Sequence, residues 1–130
     1  MSHTPSDKPT TEWFARAEID RRKLDAYLLS PTHPRGRHKA RLWRSVFGIG
    51  EEDGDLLERL IREQIHQAEQ VSEKEARRDR DDPEVIYRRY EVTIPDFRGP
   101  NGNVGPVLTA WTHDPRRDRP HLTNAFPVVD

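Results

Sequence analysis

The chain has 130 residues, 32% of them hydrophobic and 35% charged, with a formal net charge of -1. One domain with a small core fits that length, and the near-zero net charge excludes a polycation, so any nucleic-acid contact has to come from a local patch. Cysteine is absent, which excludes disulfides, thiolate metal ligands and a cysteine nucleophile together.

Residues 1–11 are rich in Ser, Thr and Pro and read as a disordered tail ahead of a single domain over 12–130. The stretch Met1 to Trp13 holds no basic-then-apolar signal region. No apolar run reaches the ~20 residues of a membrane helix, so a cytoplasmic protein without a membrane partner is expected. Ala15 to Ile19 reads as a short edge strand. Asp20 is placed to cap a helix through Leu29, whose Leu24, Tyr27 and Leu28 fall at i, i+3 and i+4 on one apolar stripe. Pro31 and Pro34 end it. A second helix is predicted over Arg37–Phe47 with Gly48 as its terminator, and a third over Asp55–Gln70, built on Leu57, Leu60, Ile61 and Ile65.

The stretch 71–84 is nearly all charge and reads as a solvated helix extension or a flexible connector, without chemistry. From there the apolar period shifts to 2. Strands are predicted from Ile86 to Ile94, over Val107–Thr112 and over His121–Val128, with an Asn101-Gly102 hairpin signal between the first two and Pro127 marking an edge. The expected fold is α+β: three helices followed by an antiparallel sheet of three to four strands, with the helices packed on one face.

One segment carries chemical potential. His33 to Arg44 holds seven side chains able to be cationic. At about 100° per residue, Ala40, Leu42, Trp43, Val46 and Phe47 share one side of the helix and Arg37, His38, Arg41 and Arg44 the other. Lys39 falls inside the apolar arc. Its head either snorkels to solvent along Trp43 or meets an anion in a cleft between helix and sheet. His33 stands in the loop entering the helix, where free N–H groups favour phosphate, so it is a candidate for proton transfer. Arg37 could clamp phosphate oxygens. On the strands, Thr109 shares a face with Trp111, and strict alternation puts Leu122, Asn124 and Phe126 on one face and His121 on the other. Asn124 among apolar neighbours is a candidate for orienting a ligand. No His, Asp and Glu spacing suits a metal, and no cofactor is expected.

The run Tyr27-Leu28-Leu29-Ser30-Pro31-Thr32-His33-Pro34, with Gly36-Arg37 and Lys39-Ala40, resembles the head motif of an uncharacterised bacterial family. Arg89-Tyr90-Glu91-Val92, Gly99-Pro100-Asn101-Gly102, Thr109-Ala110-Trp111 and Ala125-Phe126-Pro127 resemble its tail. The resemblance spans roughly residues 15–127. That family is a domain of unknown function found as stand-alone proteins and at the C-termini of polymorphic toxins, which implies a toxin with a cognate antitoxin or immunity protein. Its helices-then-sheet order is similar to the barnase–EndoU–colicin–RelE group of metal-independent RNases, an analogy of fold only. Asn124 and Phe126 stand where the family usually has Thr and Tyr, which puts full activity of this copy in question.

Two functions follow as expectations. The first is a metal-independent endoribonuclease toxin acting on RNA, with His33 moving a proton, Lys39 and Arg37 balancing phosphate charge, and Asn124 or Thr109 orienting the substrate. The second is a non-catalytic module that uses the His33–Arg44 surface for a protein or nucleic-acid partner. An immunity protein is the least favoured, because the helix is basic.

Overall fold

The computed structural model describes residues 9–129. Most of the tail predicted over 1–11 lies outside these residues. Thr11 opens the first helix, α1 (Thr11–Ala15), capped by the Thr10 hydroxyl, which accepts from the Trp13 N–H at 3.4 Å. A short strand was expected at 15–19. Instead Phe14 and Ala17 are buried, and strand pairing is confined to one parallel bridge from Glu18 to His121.

Helix α2 (residues 21–28) starts on the Asp20 cap, runs through Arg21–Lys23, and widens into a π turn at Leu24–Leu28. Helix α3 (residues 37–47) likewise runs from Arg37–Leu42 into a π turn at Trp43–Phe47. It stops at Gly48, which adopts a left-handed φ of 74° that a side chain would strain. Helix α4 (residues 54–67) ends in a 3-10 turn at Ile65–Gln67, short of the predicted Gln70.

Four strands follow, β1 (Val71–Arg78), β2 (Ile86–Arg98), β3 (Val104–His113) and β4 (His121–Pro127), in an antiparallel meander ordered β1-β2-β3-β4. β1 corrects the reading of 71–84 as connector or helix. Its residues 72–78 are all exposed, so no apolar period announces it. It is held by its ladder to β2 and by cross-strand ion pairs, Arg88 to Glu73 at 3.1 Å and Lys74 to Glu91 at 3.5 Å. A charged edge strand also resists pairing with other chains.

The helices cover one face of the sheet. Phe14, Leu24, Leu28, Trp43, Phe47 and Ile61 pack against the inward residues of β2, β3 and β4. The other edge, β4, is guarded by α3: the Trp43 indole N–H donates to the Ala125 carbonyl at 3.2 Å inside the core. That bond fixes α3 against β4 and so fixes where Lys39 emerges.

A bulge in β4 decides which side chains share a face. Trp111 pairs with Leu122 but Ala110 pairs with Asn124, so Thr123 is the extra residue. Leu122 and Ala125 therefore point inward, while His121, Asn124 and Phe126, paired with Thr112, Ala110 and Leu108, point to the face away from the helices. Strict alternation puts Asn124 and Phe126 with Leu122, opposite His121. The bulge reverses that grouping, and Phe126 is only half-buried.

Candidate functional site

Tyr27 is the hub of the site. It lies in the π turn of α2, a helical irregularity that recurs at functional sites. α3 reaches it because Gly36 packs directly on its backbone: a Cβ at position 36 would lie 1.9 Å from the Tyr27 carbonyl oxygen. Three side chains gather on the half-buried Tyr27 ring. The Lys39 ammonium donates to the phenol oxygen at 3.4 Å and sits 5.5 Å from the ring centre. Lys23, one helical turn before Tyr27, places its ammonium 5.5 Å from the same ring. The His33 imidazole meets it edge-on at 4.9 Å. Lys39 is also 5.6 Å from the ring centre of Phe126 on β4. The lysine in the apolar arc thus runs between two aromatic rings rather than along Trp43, and neither it nor Lys23 has a carboxylate partner among the described residues.

His33 and Lys39, predicted from the sequence, are brought together through Tyr27, but the histidine is held in a way that opposes proton transfer. The backbone N–H groups of Arg35 and Gly36 both donate to its Nδ1 at 3.0 Å. That nitrogen therefore carries a lone pair and the ring proton sits on Nε2. So held, His33 caps the turn into α3 and presents one N–H donor.

Arg37 is not in this cluster. It lies two residues before Lys39 on the helix and faces a separate hollow of about 230 Å³ with Arg41 and Arg44. Thr109 is in the core, fully buried; its hydroxyl donates to the Val92 carbonyl at 2.6 Å and accepts from the Trp111 indole at 2.8 Å. A hydroxyl so committed cannot orient a substrate. Asn124 is half-buried on the outer face. Its Oδ1 accepts the Ala125 N–H at 3.0 Å, and its Nδ2 makes no hydrogen bond among the described residues, which leaves an amide donor for a ligand.

Beside the hub is a hollow of about 840 Å³, lined by Lys23, Arg77, Tyr87, Arg89, Arg117 and His121 among others. Lys23 belongs to both places. Partial burial first, then the charges of Lys23 and Arg117, hold the His121 imidazole below its ordinary value, against the opposing pull of Glu18 and Asp114. That lowering favours the neutral ring, whose free nitrogen can accept a proton.

The sequence left Tyr27, Lys23, Arg77 and Arg89 unassigned, and strict alternation put His121 on the face opposite Asn124. Two signals were available: the i, i+4 spacing of Lys23 and Tyr27, which puts both on one helix face, and the place of Tyr27 and Arg89 in the family-like motifs.

The chain belongs to the family described as a domain of unknown function (DUF6883), whose model matches residues 11–129. No curated protein and no solved structure matches it. Among the described residues, no helix is long and apolar enough to cross a membrane.

Proposed function

We propose that this member of the DUF6883 family is a metal-independent endoribonuclease of toxin type. The observation that carries the reading is the Lys39 ammonium against the Tyr27 phenol at 3.4 Å, with Lys23 on the same ring and no carboxylate among the described residues paired to either lysine. Two unneutralised cations beside a hydroxyl proton donor suit a phosphodiester whose charge grows in the transition state.

In this reading the RNA 2′-oxygen attacks the phosphorus while His121 takes its proton. The P–O5′ bond breaks, and the Tyr27 phenol returns a proton to the leaving 5′-oxygen. The products are a 2′,3′-cyclic phosphate and a free 5′-hydroxyl. Lys39, Lys23 and the His33 Nε2–H balance the phosphorane oxygens, and the Asn124 amide orients the strand. DNA lacks the 2′-hydroxyl and is not a substrate. A cognate antitoxin or immunity protein would cover the lysines.

The test is incubation of the purified protein with RNA in the presence of chelator, with end-group analysis. Cyclic-phosphate ends are expected, and their loss in Lys39→Ala by about 10²-fold or more. Intact RNA after prolonged incubation with folded protein sinks the reading.

One observation favours the non-catalytic binding module instead: with Nδ1 engaged twice by backbone, His33 offers a donor and no base. RNA bound in a salt-dependent way but never cut would establish that reading.

A further inference from the structure

We propose that the 840 Å³ hollow is a strand-binding site for single-stranded RNA, in which Arg77, Arg89 and Lys23 contact successive phosphates beside the Tyr27–Lys39 cleavage point. The proposal rests on the ribonuclease reading for the identity of its ligand, but binding is measured apart from cleavage.

Register puts the wall together. Arg77 of β1 pairs with Tyr87 of β2, Arg89 of β2 with Thr112 of β3, and Thr112 with His121 of β4. Neighbouring strands stand about 4.8 Å apart, and Tyr87 and Arg89 are two residues apart on β2, so these side chains form two adjacent rungs, a row that steps obliquely across the sheet. Tyr90, Trp111 and Leu122, next to them in sequence, point into the core, so the row faces away from the helices. Lys23 of α2 closes the hollow at the β4 edge.

Charge pairing leaves this wall cationic. Three carboxylates also line it, and each is already engaged: Glu18 by Arg117 at 3.3 Å, Asp20 by Arg22 at 3.3 Å and Asp114 by Arg116 at 2.9 Å. Lys23, Arg77 and Arg89 form no ion pair among the described residues, and no two of them come from the same element. Unpaired like charges facing one hollow repel each other, and an anion spanning them removes that cost.

The shape favours a strand over a lone ion. A hollow of about 840 Å³ is much larger than one phosphate, and its cations are spread over three elements. Tyr87 lines it with its hydroxyl already committed, donating to Asp79 at 2.6 Å and accepting from Arg116 at 3.1 Å. What Tyr87 offers the hollow is therefore ring surface, on which a base can stack. Lys23 touches both this hollow and the Tyr27 ring, so a strand lying along the row reaches the lysine pair.

The test is fluorescence anisotropy with a labelled RNA 12-mer carrying 2′-O-methyl groups, which cannot be cleaved, across a potassium chloride series. Wild type is expected to bind with a log–log salt slope of about -2, near 0.7 per phosphate for three contacts. Arg77→Gln/Arg89→Gln should weaken binding about tenfold or more and flatten the slope by about 1.4. Both arginines are exposed, and an unchanged melting temperature checks that the variant folds. Arg59→Gln/Arg98→Gln removes the same charge beside the far end of β2 and should bind as wild type. Equal weakening by the two double variants, or no weakening by the first, overturns the proposal. Inorganic phosphate or a mononucleotide competing as well as the 12-mer at equal concentration also overturns it, since the hollow would then hold a free anion. If an unmodified 12-mer binds as expected but stays intact, the nuclease reading fails and the strand site stands.

Discussion

Lys39 and Tyr27 are 12 positions apart in the chain, and the ammonium of one donates to the phenol oxygen of the other at 3.4 Å. The contact is made at the seam of two helices, beside the outer face of β4. Its two halves separate by mutation. Tyr27→Phe keeps the ring that Lys23, Lys39 and His33 pack against and removes only the oxygen. In the ribonuclease reading that oxygen supplies the leaving-group proton, so cleavage should fall about 10²-fold or more while the melting temperature holds. Rates measured at saturating RNA check it. A rate equal to wild type would remove Tyr27 from proton transfer.

Gly36 sets the distance between the helices that carry this pair. With a Cβ 1.9 Å from the Tyr27 carbonyl oxygen and 2.7 Å from its carbon, Gly36→Ala must push α3 away from α2, because the obstacle is backbone. Overpacking of this kind costs about 1–3 kcal/mol. Urea unfolding should show that loss. A smaller cleavage defect should accompany it in molecules that remain folded, because Lys39 moves with α3.

Much of this architecture was legible in the sequence. The apolar stripe of Leu24, Tyr27 and Leu28, the stop at Gly48 and the Asn101-Gly102 turn each reflect a local rule, and the structure follows them. β1 was not legible because it has no buried side chain to impose a period; its pairing with β2 is a tertiary fact. The Thr123 bulge was equally silent. One extra residue rotates everything after it, and it moved His121 and Asn124 onto a common face. His33 and Lys39 could be picked out by type and position, but Tyr27, which joins them, reads from the sequence as one more apolar residue on a stripe. Thr109 misled for the opposite reason. Its polar type suggested contact with a ligand, whereas its hydroxyl is spent inside the sheet.

His121 should make stability depend on pH. Its imidazole is held below the ordinary value of 6.5, first by partial burial and then by Lys23, with Arg117 acting in the same sense and Glu18 and Asp114 against. The unfolded chain therefore binds the proton more readily than the folded one. Stability is full above pH 6.5 and falls as pH drops below it, until the folded protein has taken up its own proton. Denaturation from pH 5 to pH 7.5 should show a shallower decline in His121→Asn than in wild type, since other titrations cancel in the comparison. If His121 is also the base, cleavage by wild type rises over the same acidic range. Identical pH dependence of stability in the two proteins would show that the ring is not desolvated.

Thr109→Val separates structure from chemistry. Valine fills the same space but removes the donor that Val92 accepts at 2.6 Å and the acceptor that the Trp111 indole uses at 2.8 Å. Both partners sit in the core, where water cannot replace the lost bonds. A buried group left unpaired costs about 1–3 kcal/mol, so chemical unfolding should shift by that amount or more. Serine keeps the oxygen, and Thr109→Ser should recover most of the loss. Cleavage per folded molecule should be unchanged in both variants, because the hydroxyl faces the indole and the neighbouring strand rather than the outer face that carries Asn124 and His121. A valine variant as stable as wild type but unable to cut RNA would return Thr109 to the substrate and overturn its assignment to the core.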